Sequence, residues 1–386
     1  MMLGIPKEIL DDELRVAALP ETVAEYAKMG FEVLVESSAG EGALRADAEY
    51  EKAGARIVGD PETLFAQADV IVKVKQPWLN KRAGKHEVEM MRPGTVLVSF
   101  LHPAAPPNHD MVRMLAARNI TALTMDDVPR ISRAQTMDAL TSMSTVTGYK
   151  SVILAANRFP KFVPMIGTAI GTIRSAKFLI VGIGVVGLQA IATAKRLGGA
   201  IKAVDIKEDA RKAAASLGAQ IAGFEVPPEL ALGEGGYAKA LPADWIEKER
   251  QAIRPHVEEA DIVILSALVP GEVAPVLVTE EMVRKMRPGS VIVDVSIDQG
   301  GNCAITEPGR ETVKHGVHLF GLWNIPGSMP VHASWLYAQN VLHYVKNLFQ
   351  KGLGRPDLED EIVRHSLVTH GGTVVHQGTL KAMGQG

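Results

Sequence analysis

The chain has 386 residues, with 41 Lys and Arg against 44 Asp and Glu and a net charge of −3. That length points to two or three domains, and the charge excludes a broad basic nucleic-acid surface and a long acidic tail. Hydrophobic residues at 47% supply more than one core, while the single cysteine, Cys303, excludes a disulfide framework and a Cys-based metal cluster; no metal is expected.

The N-terminal stretch MMLGIPKEILDDELRVA lacks a long apolar segment and carries acids early, so no signal peptide is expected. β-Branched runs then predict strands at 2–6, 31–37, 69–74, 95–100 and 120–125. Between them, apolar residues at helical spacing predict helices over 20–30, 47–55 and 109–119. A long helix is predicted from about Ala134 to Ala156, interrupted at Gly148, and a polar link over 167–176 follows it. A second series opens with FLIVGIGVVG at 178–187 and continues with strands at 200–206, 261–268, 290–296 and 317–321. Apolar runs such as 262–271 are about half the length of a membrane span, so a soluble intracellular protein is expected. Residues 223–241, rich in Pro and Gly, read as a long mobile loop. A clean helix follows at 331–352, and 360–378 alternates like a small hairpin with a His-Gly-Gly turn.

Strand and helix in alternation predict an α/β protein. We read two Rossmann-like, doubly wound parallel-sheet domains separated by a nucleotide-binding cleft. The first takes 1–134 plus 325–386, completed by the C-terminal helix and hairpin, and the second takes 135–324. Clefts between such domains are common ligand sites.

Gly182, Gly184 and Gly187 form a G-x-G-x-x-G run with a strand before it and a helix after it. The first glycine permits the tight turn, the second lets backbone approach a pyrophosphate, and the third lets helix and strand pack closely. The helix N-terminus then offers N–H groups and a partial positive charge. Asp205 stands 23 residues after Gly182 at the end of the next strand, where a carboxylate accepts from a ribose diol and repels a 2′-phosphate. NAD(H) is therefore expected over NADP(H).

The run from Pro129 to Thr141 packs Arg130, Gln135, Asp138 and a hydroxyl into a short segment that can hold an amide and a ribose. A solvated loop followed by a helix cap explains the same residues, and composition leaves both open. A third set is Arg15, Lys75, His102 and Asp298, each near a strand end. A cation pair can clamp a small carboxylate, and a histidine can trade a proton; whether these groups converge is a question for the fold.

PRISRAQTMDALTSMSTVTGY at 129–149, the loop GGYAK at 235–239, SALVPGEVAPVLVTEEMV, MRPGSVIVDV and GGNC resemble the NAD(H)-binding soluble alpha subunits (domain I) of proton-translocating NAD(P) transhydrogenases, within the alanine dehydrogenase/transhydrogenase family. The resemblance runs over nearly the whole chain. It implies that Arg130, Gln135 and Asp138 contact NAD near its nicotinamide, with Gln135 also approaching a second nucleotide, and that Tyr237 closes over NAD. The catalytic set implied is Gln135, Arg130 and Asp138. The cofactor-binding set adds Gly182, Gly184, Val185, Val186, Gly187, Asp205, Ile206, Lys207, Thr141, Gly236, Tyr237 and Leu268. The implied activity is Re/Si-specific hydride transfer between NADH here and NADP⁺ on a partner subunit, coupled to proton translocation by membrane partners. A homodimer, peripheral on the inner face of the plasma membrane through those partners and without nucleic acid, is the corresponding expectation.

Alanine dehydrogenase is the alternative, because an Arg, a Lys, a His and an Asp used there match Arg15, Lys75, His102 and Asp298. Against it, Pro103 follows His102 where an apolar residue is expected, and the C-terminal hairpin is similar to the transhydrogenase subunit. A plain NAD-binding module without chemistry is a third reading, disfavoured by the 130–135 run. Glu249 stands where the family pattern suggests a Gln contact to NAD, and that contact is not carried over.

Overall fold

The structure, a computed structural model, describes residues 1–385 except 224, 234–238 and 270–272. The chain divides into two units, Met1–Met143 with Pro326–Gly386, and Ser144–Ile325.

The first unit is built on an eight-stranded sheet in the order Thr373–Val374, Leu367–His370, Thr121–Thr124, Val96–Ser99, Val70–Val72, Met2–Ile5, Glu32–Glu36 and Ala55–Val58. The strands from Thr121–Thr124 onward pair in parallel, and the C-terminal pair adds antiparallel at the edge. Val70–Val72 and Val96–Ser99 are buried throughout, as expected of strands covered by helices on both faces. Helix His109–Ala117 buries Met111, Val112, Leu115 and Ala116, one face at helical spacing. Helices Pro330–Leu348 and Glu361–Ser366 precede the C-terminal strands, which turn through Gly371 and Gly372 at φ 58° and 80°.

The second unit's sheet runs Gln220–Ile221, Ala200–Val204, Lys177–Val181, Ile262–Leu265, Val291–Asp294, Val317–Phe320 and Glu311–Lys314. All neighbours are parallel except the last pair. Counted along the chain within each sheet, both run third, second, first, fourth, fifth. A doubly wound sheet of this order has a switch point between its first and fourth strands. In the second unit that point lies between Lys177–Val181 and Ile262–Leu265. The α/β, doubly wound expectation holds; the C-terminal hairpin supplies the first sheet's antiparallel edge, and the antiparallel edge strand Glu311–Lys314 of the second sheet was not read.

Several predicted elements are corrected. The helix read over 47–55 stops at Lys52, and Ala55–Val58 is a strand; Gly54, at φ 100°, turns the chain between them. Helix Pro61–Gln67 was also missed, although Asp60 caps it by accepting the Thr63 N–H at 2.8 Å. The long helix begins at Ala139 rather than near Ala134, because Ser132–Met137 is a tighter 3₁₀ turn. The polar link over 167–176 contains an antiparallel hairpin, Ile166–Thr168 with Gly171–Ile173. Within 223–241, Pro228–Ala231 forms one helical turn; the mobility expected of that loop rests largely on 234–238, outside the described residues. Among the described residues no helix is long and apolar enough to cross a membrane.

Candidate functional site

At the switch point of the second unit, each glycine does a different job. Gly182 has φ 85°, and a Cβ there would lie 2.6 Å from the Ser266 carbonyl and the Ala267 nitrogen. A Cβ on Gly187 would lie 2.1 Å from the Gly182 carbonyl oxygen, so helix and turn touch only because it is absent. A Cβ on Gly184 would meet nothing within 4 Å. The backbone there borders open space, as approach of a phosphate requires. Helix Val185–Arg196 starts beyond it with no side-chain cap, so the N–H groups of Val185 and Val186 lack the partners that a capped helix end supplies.

Asp205 follows Ala200–Val204 and is held at both oxygens. Oδ2 accepts the Ile183 N–H at 2.6 Å, and Oδ1 accepts the Lys207 N–H at 2.7 Å. An ionised carboxylate has about four lone-pair sites, so each oxygen retains capacity for a hydroxyl. Arg211 Nη1 donates to the carbonyls of Asp205 and Ile206 at 3.0 and 2.8 Å, fixing the Asp205–Lys207 turn. These residues fit an adenosine ribose. Glu249 is buried on helix Ala243–Glu259, and burial, with the charge of Asp205, pushes its carboxyl up to about 7. Protonated, it offers an O–H donor beside a carbonyl acceptor, one donor fewer than Gln would present.

In the first unit, Arg130, Gln135, Asp138 and Thr141 line one pocket of about 400 Å³ together with Pro129, Ile131 and Ala134. Lining positions three to four apart stay on one face as the 3₁₀ turn passes into the helix. Asp138 also precedes helix Ala139–Arg158 and caps it. Its Oδ1 accepts the Thr141 N–H at 2.8 Å, and its Oδ2 accepts the Thr141 hydroxyl at 2.6 Å. The helix-cap reading and the pocket reading are thus both present in one side chain.

Arg15, Lys75 and His102 lie in the first unit, and Asp298 lies in the second, exposed on the short turn Val295–Gln299. Arg15 is only 3% exposed, and its Nε donates to Glu13 Oε1 at 2.7 Å. Its charge is met by the protein's own carboxylate. His102 sits at φ 44° with Nδ1 2.7 Å from Asp126 Oδ1, its ring stacked on Phe100. Burial alone would raise Asp126, but the charge and hydrogen bonds of His102, with the Thr124 hydroxyl, hold it down to about 2.

Of the remaining candidates, Leu268 is 37% exposed beyond Ile262–Leu265. Gly236 and Tyr237 lie outside the described residues. Sequence reasoning missed two supporting residues. A Cβ on Gly148 would lie 2.3 Å from the Val186 carbonyl oxygen, so this glycine lets helix Ala139–Arg158 pass close to the start of helix Val185–Arg196. A mid-helix glycine was the available signal. Asn302 accepts the Ala267 N–H at 3.0 Å and donates to the Ala267 carbonyl at 2.9 Å, holding the loop before Leu268. Buried Asp294 accepts the N–H groups of Asn302 and Cys303, which explains the GGNC segment structurally.

A doubly wound sheet with this glycine turn at its switch point, and a fixed acid after the next strand, defines a dinucleotide-binding protein of the two-domain α/β class. Residues 4–147 match the family model described as "Alanine dehydrogenase/PNT, N-terminal domain", and residues 151–377 match "Alanine dehydrogenase/PNT, C-terminal domain". The chain belongs to the alanine dehydrogenase/PNT family. It is 42% identical to an NAD(P) transhydrogenase subunit alpha chain of Rhodospirillum rubrum, over 97% of this chain and 98% of that one. A solved transhydrogenase from Sinorhizobium meliloti superposes with a TM-score of 0.83 at 37% identity, covering 98% of this chain and 99% of the other. A solved L-alanine dehydrogenase gives the same TM-score of 0.83 at 29% identity, covering 100% and 99%. Backbone shape does not separate the two branches. Identity does, and it makes the chain an oxidoreductase of the transhydrogenase type.

Proposed function

We propose that this chain is the NAD(H)-binding subunit of a Re/Si-specific, proton-translocating NAD(P) transhydrogenase. The carrying observation is that Arg130, Gln135, Asp138 and Thr141 face one pocket in a chain 42% identical to a transhydrogenase alpha subunit. Bound NADH supplies a hydride, which passes between two carbons and needs no acid or base from the protein. The side chains therefore bind, orient and exclude water. Gly182, Gly184, Val185, Val186 and Gly187 take the pyrophosphate on backbone N–H groups. Asp205, with Ile206 and Lys207, takes the adenosine ribose and disfavours a 2′-phosphate. Arg130, Gln135 and Asp138 orient the nicotinamide, with Thr141 steadying Asp138. Tyr237 and Gly236 cover the nucleotide, and Leu268 adds an apolar contact. NADP(H) belongs to a partner subunit and proton movement to a membrane subunit. The chain acts as a homodimer held at the inner face of the plasma membrane by these partners.

The test mixes the purified chain with the NADP(H)-binding subunit and follows hydride transfer from NADH. Gln135→Asn should slow transfer by about 10–100-fold, since small misplacements of reacting atoms carry penalties of that order, while NADH affinity stays close to wild type. Alanine dehydrogenase is the second reading, favoured by one observation: His102 is oriented by a carboxylate, as an acid–base residue would be. No transfer in the mixture, with alanine-dependent NAD reduction by the chain alone that Lys75→Ala abolishes, would establish that reading instead.

A further inference from the structure

The run from Pro129 to Thr141 supplies every residue lining the pocket, yet Arg133 within it points elsewhere. Its Nη1 donates to Asn347 Oδ1 and Asp360 Oδ2, each at 2.9 Å. Asn347 Nδ2 closes the triangle on Asp360 Oδ1 at 2.9 Å. Asp360 is itself fixed, because its Oδ1 accepts the Ile362 N–H at 3.0 Å and so caps helix Glu361–Ser366. Three residues further along the run, the Thr136 carbonyl accepts from Asn340 Nδ2 at 2.8 Å. Asn340 is buried, and its Oδ1 has no hydrogen-bond partner among the described residues. Burying that oxygen unpaired carries a cost, so the bond to Thr136 is what an asparagine adds at this position.

The segment just upstream of the run is held in the same way. The Asp127 carbonyl accepts from His365 Nδ1 at 3.0 Å, and the Asp127 carboxylate lies 3.2 Å from His376 Nε2. His376 Nδ1 accepts the Thr379 N–H at 3.2 Å, capping helix Gln377–Ala382. That cap needs a bare Nδ1, which leaves the proton on Nε2 to donate to Asp127. Every partner in both clamps comes from 340–376, on the C-terminal side of the same unit.

We propose that Arg133, Asp360, Asn340, His365 and His376 are positioning residues: the C-terminal segment grips 127–136 from outside the pocket, so that Arg130 and Gln135 are presented to it in one orientation. The grip stands on the contacts alone; its effect on hydride transfer rests on the function proposed above. Asp360→Asn is the discriminating change, because Asn caps a helix about as well as Asp while the charge-assisted bond to Arg133 weakens. Arg133→Ala removes the clamp, and Arg133→Lys keeps a cation within reach of one acceptor.

The experiment uses the full chain. Hydrogen exchange over 130–138 should quicken by about tenfold in Arg133→Ala, as local opening becomes easier, and by less in Arg133→Lys and Asp360→Asn. With the NADP(H)-binding subunit added, kcat for hydride transfer in Arg133→Ala should fall by about tenfold while KM for NADH stays within about twofold, the split expected when orientation rather than binding is lost. Arg133→Lys should recover most of the rate. Unchanged exchange in Arg133→Ala overturns the grip. Quickened exchange with an unchanged kcat overturns its positioning role. A wild-type chain that transfers no hydride overturns the functional reading instead, and the exchange measurement still decides the grip.

Discussion

The two sheets are wound in the same order, and they share a detail at the first turn. In the second unit, Asp205 after the second strand accepts the N–H of Ile183, the second residue past the first strand. In the first unit, Glu36 at the end of the second strand accepts the N–H of Lys7 at 2.9 Å, and Lys7 is again the second residue past the first strand. What differs is the turn itself. Gly182-Ile183-Gly184 leaves open space over Gly184, whereas Pro6-Lys7-Glu8 places a carboxylate at the switch point. Glu8 Oε1 accepts the Val74 N–H at 2.6 Å, and Glu8 lies 3.7 Å from the buried Lys73 ammonium, which also binds Glu87 at 2.8 Å. Burial, the largest cause, pushes Glu8 up to about 7. One switch point is filled by the chain's own charges and the other presents bare backbone. Winding order creates a crevice, and the residue chemistry of one turn decides what it can accept.

The strongest way to break this comparison is at Lys73. Lys73→Met leaves Glu87 buried without a counter-charge and should lower stability by about 3–5 kcal/mol in urea unfolding, with NADH affinity retained in the protein that remains folded. Lost NADH binding in that folded protein would mean that the filled switch point is not merely structural.

Glu249 is the second unit's own buried acid. Its folded pKa of about 7 lies above the ordinary 4.5, so its neutral form favours the fold below pH 4.5 and that contribution is lost as pH rises to about 7. Glu249→Gln should match wild type near pH 4.5 and exceed it above pH 7, by at most about 3 kcal/mol. Denaturant unfolding from pH 5 to 8 reads this directly, and parallel curves for the two proteins would refute it.

Gly187→Ala drives a Cβ into the Gly182 carbonyl. Overpacking of this kind costs about 1–3 kcal/mol, so NADH binding should weaken by about 10–100-fold in a fluorescence titration. Unchanged binding would separate the turn from the nucleotide. The smallest effect is expected at Asp205. Asp205→Ala should narrow the preference for NADH over NADPH by about tenfold, the scale of one charged hydrogen bond, and equal affinities in the wild type would refute the assignment.

Most strands of both sheets were legible as short β-branched runs, because a strand buried on two faces needs apolar residues at every position; the second sheet's edge strands Gln220–Ile221 and Glu311–Lys314, exposed to half-exposed, were not read. The misses have local causes. Ala55–Val58 follows its helix after one glycine, and the reading carried the helical period across Gly54. Ile166–Thr168 and Gly171–Ile173 are half-exposed to exposed, so burial left no apolar pattern to read. The start of helix Ala139–Arg158 was misjudged because Ser132–Met137 has helical composition, and only the Asp138 cap marks the boundary. The candidate site was legible where chemistry is carried by neighbours in sequence, as in the glycine turn and the 130–141 run.

The sequence by itself determined the winding class, the glycine turn with its acid, and the residues of the pocket, because periodicity, backbone freedom and short-range spacing act within a few residues. Tertiary structure alone decided that Arg15 is paired with Glu13, that Glu8 closes one switch point through a bond to Val74 66 residues away, and that Arg133 is gripped by Asp360 across 227 residues. Such contacts are set by which segments the sheets and helices bring side by side. The residue types involved, a buried acid or a half-exposed arginine, look the same in sequence whether they serve a ligand, a cap or a clamp.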